Sequence, residues 1–211
     1  MEKHTAYFNL LDQLKRPGCP VCAQALESVK SFLDSYLYEG VTDGANWDRL
    51  TESGGYCARH ARVLEGFSDG LAVSLFYAHL LRRRLKELAS PARRPWWGRR
   101  PGPAECPACG REREAEQGQQ ELLRRALGEA EFWAAWRERG EGLCLPHLAG
   151  VLEGDFPRRG ALLELEAARL ESLAGEMDEF VRKSEYRSTE KMGPEGDAWK
   201  RALRGFGGIL Y

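Results

Sequence analysis

The sequence predicts an all-α protein made of tandem-duplicated helical repeats, each organised around a Cys3His zinc site. Apolar residues recur at helical spacing through most of the chain, and no segment alternates convincingly between apolar and polar residues. In addition, one set of four ligand-type residues occurs twice in the same order. Internal repetition of this kind indicates a duplicated supersecondary unit.

The repeated set consists of a Cys-Pro-x-Cys word and a later Cys-x-x-His word, with 34 residues between them in both copies. All six cysteines belong to these words, and a constant offset of 87 residues maps the first copy onto the second. Chance rarely aligns four such residues. The predicted metal ligands are Cys19, Cys22, Cys57 and His60 in the first repeat and Cys106, Cys109, Cys144 and His147 in the second.

Three thiolates and one imidazole complete the tetrahedral shell that structural zinc prefers. Soft thiolate ligands select zinc or iron–sulfur clusters over hard cations. We therefore expect two zinc ions per chain, each closed by the four ligands of its own repeat, although ligand exchange between the repeats satisfies the same spacing. Buried reduced thiols, redox-active Cys-x-x-Cys pairs, and iron–sulfur or haem ligation are the alternatives.

The first repeat, residues 1–89, begins with a helix whose apolar face ends at a Pro-Gly pair. Pro20 favours a helix start directly after Cys19, because proline is tolerated in the first turn. Asp69 marks another helix start. The helices predicted for this repeat cover residues 4–15, 20–39, 45–53, 57–66 and 69–89.

The second repeat, residues 106–183, follows the same plan without a copy of the leading helix. Its first helix is polar for about three turns, which predicts a solvated surface. Its last helix carries a heptad-like apolar stripe of Leu163, Ala167, Leu170, Ala174, Met177 and Val181. The helices predicted for this repeat cover residues 106–127, 129–139, 144–153 and 157–183.

A Pro/Gly/Arg-rich linker, residues 90–105, joins the repeats. Ten basic and three acidic residues lie between positions 82 and 113, an excess of seven positive charges in a nearly neutral chain. Arginine and tryptophan together suit phosphate and base contacts, or equally a linker packed on the protein surface. The candidate partner-binding residues here are Arg93, Arg94, Trp96, Trp97, Arg99 and Arg100.

The C-terminal tail, residues 184–211, contains a short predicted helix over 195–204. We expect Trp199 to dock this helix onto the core. Polar residues of the tail and the end of the preceding helix are further candidates for a partner-binding or enzymatic site. They are Lys183, Tyr186, Arg187, Glu195, Asp197, Trp199 and Arg201.

The formal net charge of −1 excludes a protein that is basic throughout. The first residues lack a signal-peptide pattern. The longest nearly apolar run, 71–81, is too short to cross a bilayer, so we expect no membrane contact. All six cysteines belong to the repeated words, which favours metal binding by reduced thiols in a cytoplasmic protein over structural disulfides. The chain contains no P-loop, no His-Glu-x-x-His motif and no Gly-x-Ser-x-Gly motif.

The words "GCPVC" and "GYCARH", with the tail "KSEYRSTEKMGPEGDAWKRA", resemble a bacterial family of unknown function. That family combines CPxC and CxxH words with a tail of the form YR…E-x-D-x-W-x-R-A, and the resemblance spans nearly the whole chain. It implies a helical, cytoplasmic protein with metal sites, and it implies no activity.

The leading functional hypothesis is a zinc-binding adaptor, rather than an enzyme, that holds a protein or a nucleic acid through its linker or tail. A thiol-based redox sensor or chaperone using the Cys-x-x-Cys pairs is the first alternative. An enzyme that uses the charged tail is the second.

Overall fold

The computed structural model describes residues 5–67, 69–89, 105–139, 141–186 and 188–208. Within these ranges all regular secondary structure is helical, as the sequence predicts. The α-helices are α1 Thr5–Gln13, α2 Pro20–Tyr38, α3 Gly44–Ser53, α4 Ala58–Glu65, α5 Gly70–Leu88, α6 Pro107–Leu127, α7 Ala130–Glu138, α8 Leu145–Leu152, α9 Arg159–Lys183 and α10 Ala198–Gly207. Short 3-10 turns cover Gly40–Thr42 and Pro194–Asp197.

The helix starts follow local sequence chemistry. Pro20 and Pro107 are the first residues of α2 and α6, where a missing backbone N–H costs nothing. Asp69 caps α5, because its side chain accepts a hydrogen bond from the Ala72 amide at 3.0 Å. Each Cys-x-x-His word also starts a helix, and its cysteine occupies the N-cap position.

The chain forms two compact units whose boundaries fall inside α2 and α6. One unit contains the described residues of Met1–Gln24 and Glu116–Leu210, and the other contains those of Ala25–Ala115. These units differ from the repeats expected on either side of the 90–105 linker. Each repeat contributes residues to both units, because α2 and α6 each begin in one unit and continue into the other.

The unit formed by 1–24 and 116–210 has a core of aromatic and aliphatic side chains from α1, α6, α7 and α9. Trp136 and Phe132 of α7 are fully buried there, together with Leu162 of α9. Buried Gln119 donates a hydrogen bond to buried Gln13 at 2.9 Å, and Gln13 donates to the half-buried Gln24 at 2.9 Å. Because buried amides need partners, these hydrogen bonds specify how α1, α2 and α6 align.

The unit formed by 25–115 has its core around the middle of α2. Val29 and Leu33 are fully buried beside Leu64 of α4. A further group of buried apolar side chains in this unit includes Leu50 of α3 and Phe76 of α5. Val29 and Leu33 are four residues apart, so one apolar face of α2 is buried in this core.

Helix α9 is unusual, because only Leu162 and Glu166 of its 25 residues are buried. Every member of the predicted heptad-like stripe on α9 is exposed. We find no described helix with both the length and the apolar character needed to cross a membrane.

Candidate metal centres

The structure gathers the eight predicted ligands into two groups of four. In each group, one ligand atom from every residue lies within 4.8 Å of the others. The groups, however, combine the two repeats. The first cluster is Cys19, Cys22, Cys144 and His147, and the second cluster is Cys57, His60, Cys106 and Cys109.

The expectation that each repeat closes its own site is therefore wrong. Each Cys-Pro-x-Cys word meets the Cys-x-x-His word of the other repeat. The physical reason is the uninterrupted length of α2, which begins in the unit that contains Cys19 and Cys22 and continues into the unit that contains Cys57 and His60. Within that second unit, Cys57 packs in the core that contains Val29 and Leu33. Helix α6 likewise begins in the unit of Cys106 and Cys109 and continues into the unit of Cys144 and His147.

In the first cluster, the imidazole of His147 faces three sulfur atoms. Its Nδ1 lies 3.5 Å from the sulfur of Cys19, 3.2 Å from that of Cys22 and 3.1 Å from that of Cys144. The sulfurs of Cys22 and Cys144 are 3.6 Å apart. All four residues are buried.

The second cluster has the same arrangement around His60. Its Nδ1 lies 3.3 Å from the sulfur of Cys57, 3.6 Å from that of Cys106 and 3.4 Å from that of Cys109. The sulfurs of Cys57 and Cys109 are 3.7 Å apart. Here Cys57 and Cys109 are only partly buried.

These distances fit a single tetrahedral ion. Zinc–sulfur bonds of about 2.3 Å and zinc–nitrogen bonds of about 2.0 Å place sulfurs about 3.8 Å apart and sulfur and nitrogen about 3.5 Å apart. The sulfur pairs are too far apart for a disulfide, which needs about 2.05 Å. They are also too close to enclose an iron–sulfur cluster, which interposes several atoms between the cysteine sulfurs.

Each imidazole turns its second nitrogen toward a carboxylate on α6. His60 Nε2 lies 3.4 Å from Glu112 Oε2, and His147 Nε2 lies 3.3 Å from Glu116 Oε1. At His147, the hydrogen bond to Glu116 holds the Nε2–H tautomer and leaves Nδ1 free to bind metal. Arg59 of α4 also pairs with Glu112. Glu112 is buried.

The sequence reasoning missed these carboxylates, because it assigned the polar start of α6 to a solvated surface. For Glu112 that assignment is wrong, and Glu116 is half-buried. A usable signal was present. Glu112 and Glu116 follow Cys109 by three and seven residues, which places all three on one face of the helix.

The electrostatics of the two histidines differ. Burial lowers the pKa of His60, against a smaller opposite effect of Glu112, so this imidazole is neutral and able to bind metal. Burial also lowers the pKa of His147, but Cys144, Cys19 and Glu116 outweigh it and raise the pKa to about 12. The anionic groups of the first cluster thus attract positive charge, which a dication supplies.

A buried carboxylate on α9 positions the second word of the first cluster. Glu166 accepts a hydrogen bond from the amide of Leu143, next to Cys144, at 3.0 Å. It also accepts from Trp136 Nε1 at 3.2 Å. A side chain at Gly142 would overlap the Glu166 carboxylate, so the close approach requires glycine here.

The first word of this cluster is held from both sides of its backbone. Gly18, which has φ of +86°, donates its amide to Glu141 at 2.8 Å. The carbonyl of Gly18 accepts from Arg139 at 2.6 Å. Glu141 and Arg139 precede Cys144 in the chain, so the segment that delivers one word also orients the other.

The charged candidates of the tail pair with α9 rather than forming an open site. Lys183 lies 2.8 Å from Glu195, and Arg201 contacts Glu176. Arg201 also lies 2.9 Å from Asp197. The Lys183–Glu195 and Arg201–Glu176 pairs link Pro194–Asp197 and α10 to α9, whereas the Arg201–Asp197 pair lies within the tail.

Two aromatic candidates of the tail are exposed. Tyr186 is fully solvent-exposed, and Trp199 is 44% exposed. The expectation that Trp199 docks the tail is wrong, because Ala198 and Ala202 form the buried face of α10. Small residues allow a closer helix approach here than tryptophan would. The remaining partner-binding candidates lie outside the described residues; they are Arg93, Arg94, Trp96, Trp97, Arg99, Arg100 and Arg187.

The fold and its sites define an all-helical protein with two Cys3His-type clusters suited to structural metal binding. Over 186 residues the chain is 30% identical to the "Uncharacterized 23.9 kDa protein in xynA 3'region" of Caldicellulosiruptor sp. (strain Rt8B.4). The match covers 85% of this chain and 88% of that protein. The chain belongs to the same family as that protein. No protein-family model and no solved structure matches the chain.

Proposed function

We propose that the protein is a cytoplasmic zinc-binding adaptor in which two structural zinc ions hold a helical scaffold for a partner. The observation that carries the zinc assignment is the pair of complete Cys3His sets with tetrahedral spacing. Both sets lack an open position for substrate, which is typical of structural rather than catalytic zinc. The recurrence of the set also supports a tandem duplication with repeats at 1–89 and 106–183.

Each ion would join segments that are distant in the chain. The first cluster joins Cys22 to Cys144 across 122 residues, and the second joins Cys57 to Cys109 across 52 residues. Closing long loops is costly in entropy, so the binding energy of the metal contributes directly to folding.

Elemental analysis of protein purified without chelator tests this assignment. Two zinc ions per chain are expected, together with loss of helical circular dichroism when a strong chelator removes them. Protein that is folded, metal-free and able to cycle its thiols to disulfides would contradict structural zinc and support the redox alternative.

The adaptor role is supported by the exposed stripe on α9. The stripe follows alternating four- and three-residue steps, which is the spacing of a coiled-coil seam. Leu163 is 47% exposed and Leu170 is 37% exposed. Ala167 and Ala174 alternate with the larger residues and would admit a close-packed partner helix.

The charges beside the stripe indicate which helix would fit. Glu164, Glu171 and Asp178 each follow a stripe residue and form an acidic edge. A second copy of α9 would present the same negative edge, which disfavours symmetric pairing. The surface instead suits a protein helix with an apolar seam and lysine or arginine beside it.

A synthetic helix with leucine at the seam and lysine beside it provides a direct probe. We expect binding by fluorescence anisotropy, weakening with salt and lost in Leu170→Asp. The matched control is Ala168→Asp, which adds the same charge at an exposed position away from the stripe. Equal binding of a helix with glutamate beside its seam would contradict the charge argument.

Contact with nucleic acid through the linker remains a separate proposal. Salt-sensitive binding that is lost on neutralising Arg93, Arg94, Arg99 and Arg100 would support it. Binding unaffected by these changes would reject the linker as the contact surface.

An enzymatic role for the tail has weaker support, because Lys183, Glu195 and Arg201 are all matched by opposite charge. Loss of a measured activity in a tail variant whose fold is unchanged would support the enzymatic role.

A further inference from the structure

The two clusters differ in the solvent exposure of their cysteine residues. In the first cluster the end of α10 covers the site, because the backbone of Gly208 packs against the thiols. A Cβ at Gly208 would lie 3.2 Å from the sulfur of Cys22 and 3.9 Å from that of Cys144. Helix α10 carries Gly208 there by docking Ala198 and Ala202 against the protein. Cys144 is only 2% exposed as a result.

The second cluster has two accessible sulfur-bearing residues. Cys57 and Cys109 are partly exposed, whereas His60 is fully buried and Cys106 is 9% exposed. The sulfur atoms of Cys57 and Cys109 are 3.7 Å apart, so a small displacement brings them to bonding distance. The accessible residues are therefore also neighbours in space.

We infer that Cys57 and Cys109 form the peroxide-reactive pair of this protein, and that their oxidation to a disulfide releases the zinc ion of the second cluster. The inference rests on the proposed zinc function. The first cluster loses its ion more slowly under the same conditions, because the end of α10 around Gly208 limits the access of the oxidant to its thiolates.

The reaction balances with hydrogen peroxide as the oxidant. One thiolate attacks a peroxide oxygen, the O–O bond breaks, and a sulfenic acid and hydroxide form. The second thiolate attacks the sulfenic sulfur, the S–O bond breaks, and the disulfide forms with release of a second hydroxide. Two protons from solvent convert both hydroxides to water. The two thiolates lose two electrons in total, and zinc leaves as a dication because two of its four ligands are gone.

The pairing differs from the one that the Cys-x-x-Cys motif suggests. Oxidation within the motif would join Cys106 to Cys109, but Cys106 is the less accessible of the two. A Cys57–Cys109 disulfide instead links the N-cap of α4 to the first turn of α6. Peptide mapping distinguishes the two products directly.

The test uses the full chain with its zinc bound. Zinc release during peroxide treatment is followed with a colorimetric chelator, and cysteines are mapped by alkylation and mass spectrometry after one equivalent is released. We expect two phases that differ by about tenfold or more in rate, because thiolate oxidation follows access. After the fast phase the Cys57–Cys109 disulfide should be present, with Cys19, Cys22 and Cys144 still reduced.

A pair of α10 variants separates the effect of the cover from other causes. Ala202→Glu places a charge on the buried face of α10 and should accelerate the slow phase roughly tenfold, leaving the fast phase unchanged. Leu203→Glu, at a neighbouring position that is 54% exposed, should change neither phase.

The outcomes separate the inference from the proposed function. Protein that binds no zinc contradicts the proposed function and the inference together. Protein with two zinc ions that are lost at equal rates, or whose first disulfide joins Cys106 to Cys109, overturns the inference alone. An unchanged slow phase in Ala202→Glu would show that the end of α10 does not protect the first cluster.

Discussion

Replacing Glu166 with alanine tests how the protein interior supports the first cluster. The Glu166 carboxylate accepts hydrogen bonds from Trp136 Nε1 at 3.2 Å, from Arg169 Nη1 at 2.6 Å and from the Leu143 amide at 3.0 Å. Glu166 itself is 2% exposed. Alanine would leave these donors facing an empty space beside the ligand Cys144.

The expected loss follows from the donors that remain. A buried N–H without a partner costs about 1–3 kcal/mol, and Trp136 and Leu143 each lose one acceptor. Removing one member of a buried ion pair costs about 3–5 kcal/mol. These costs do not simply add. Arg169 still donates hydrogen bonds to the carbonyls of Trp136 and Arg139 at 2.5 and 2.9 Å, so it loses only part of its stabilisation. We therefore expect Glu166→Ala to lower the free energy of unfolding by about 3–5 kcal/mol.

Urea unfolding with saturating zinc, followed by circular dichroism and tryptophan fluorescence, measures this loss. Glu164→Ala is the matched control, because it removes an exposed carboxylate from the same helix and should change stability by less than about 0.5 kcal/mol. Glu166→Gln keeps one acceptor oxygen, so its loss of unfolding free energy should lie between those of Glu166→Ala and Glu164→Ala. A loss below about 1 kcal/mol for Glu166→Ala would refute the assigned network.

Three further predictions concern the carboxylates and metal retention. In chelator competition, Glu116→Gln should weaken zinc binding by the first cluster by about 10–100-fold and leave the second cluster unchanged. Glu112→Gln should weaken the second cluster and leave the first unchanged. Equal losses at both clusters in either variant would contradict the pairing of each carboxylate with its histidine. Both clusters should release zinc as pH falls, because protons compete for thiolate and imidazole, and a release titration that is flat between about pH 7 and pH 4 would reject this. The amide of Gly193, and then the ammonium of Lys183, lower the pKa of Glu195 to about 2 from its ordinary 4.5. The stability from these contacts is therefore present above pH 4.5 and is lost as pH falls toward 2, so the thermal midpoints of wild type and Glu195→Gln should converge in acid.

Much of the local structure could be predicted because its causes are local. Apolar spacing and the prolines at positions 20 and 107 predict where the helices run and begin, and the structure confirms them. The role of the α6 carboxylates could have been predicted from their spacing to Cys109. The docking of α10 was predicted with the wrong residue, because a large aromatic side chain outweighed Ala198 and Ala202 in the sequence reasoning.

The sequence by itself determined which residues can bind metal, since their identity and repeated spacing do not depend on the path of the chain. Only the tertiary structure decided how those residues combine. Both repeats present identical ligand words, so the spacing is equally compatible with closed and exchanged sites. The long helices α2 and α6 each cross from one unit to the other, so the two words of each repeat fold in different units, each with its counterpart from the other repeat. The burial of the first cluster by Gly208 likewise depends on a contact across 186 residues of chain, between positions 22 and 208, which no local pattern records.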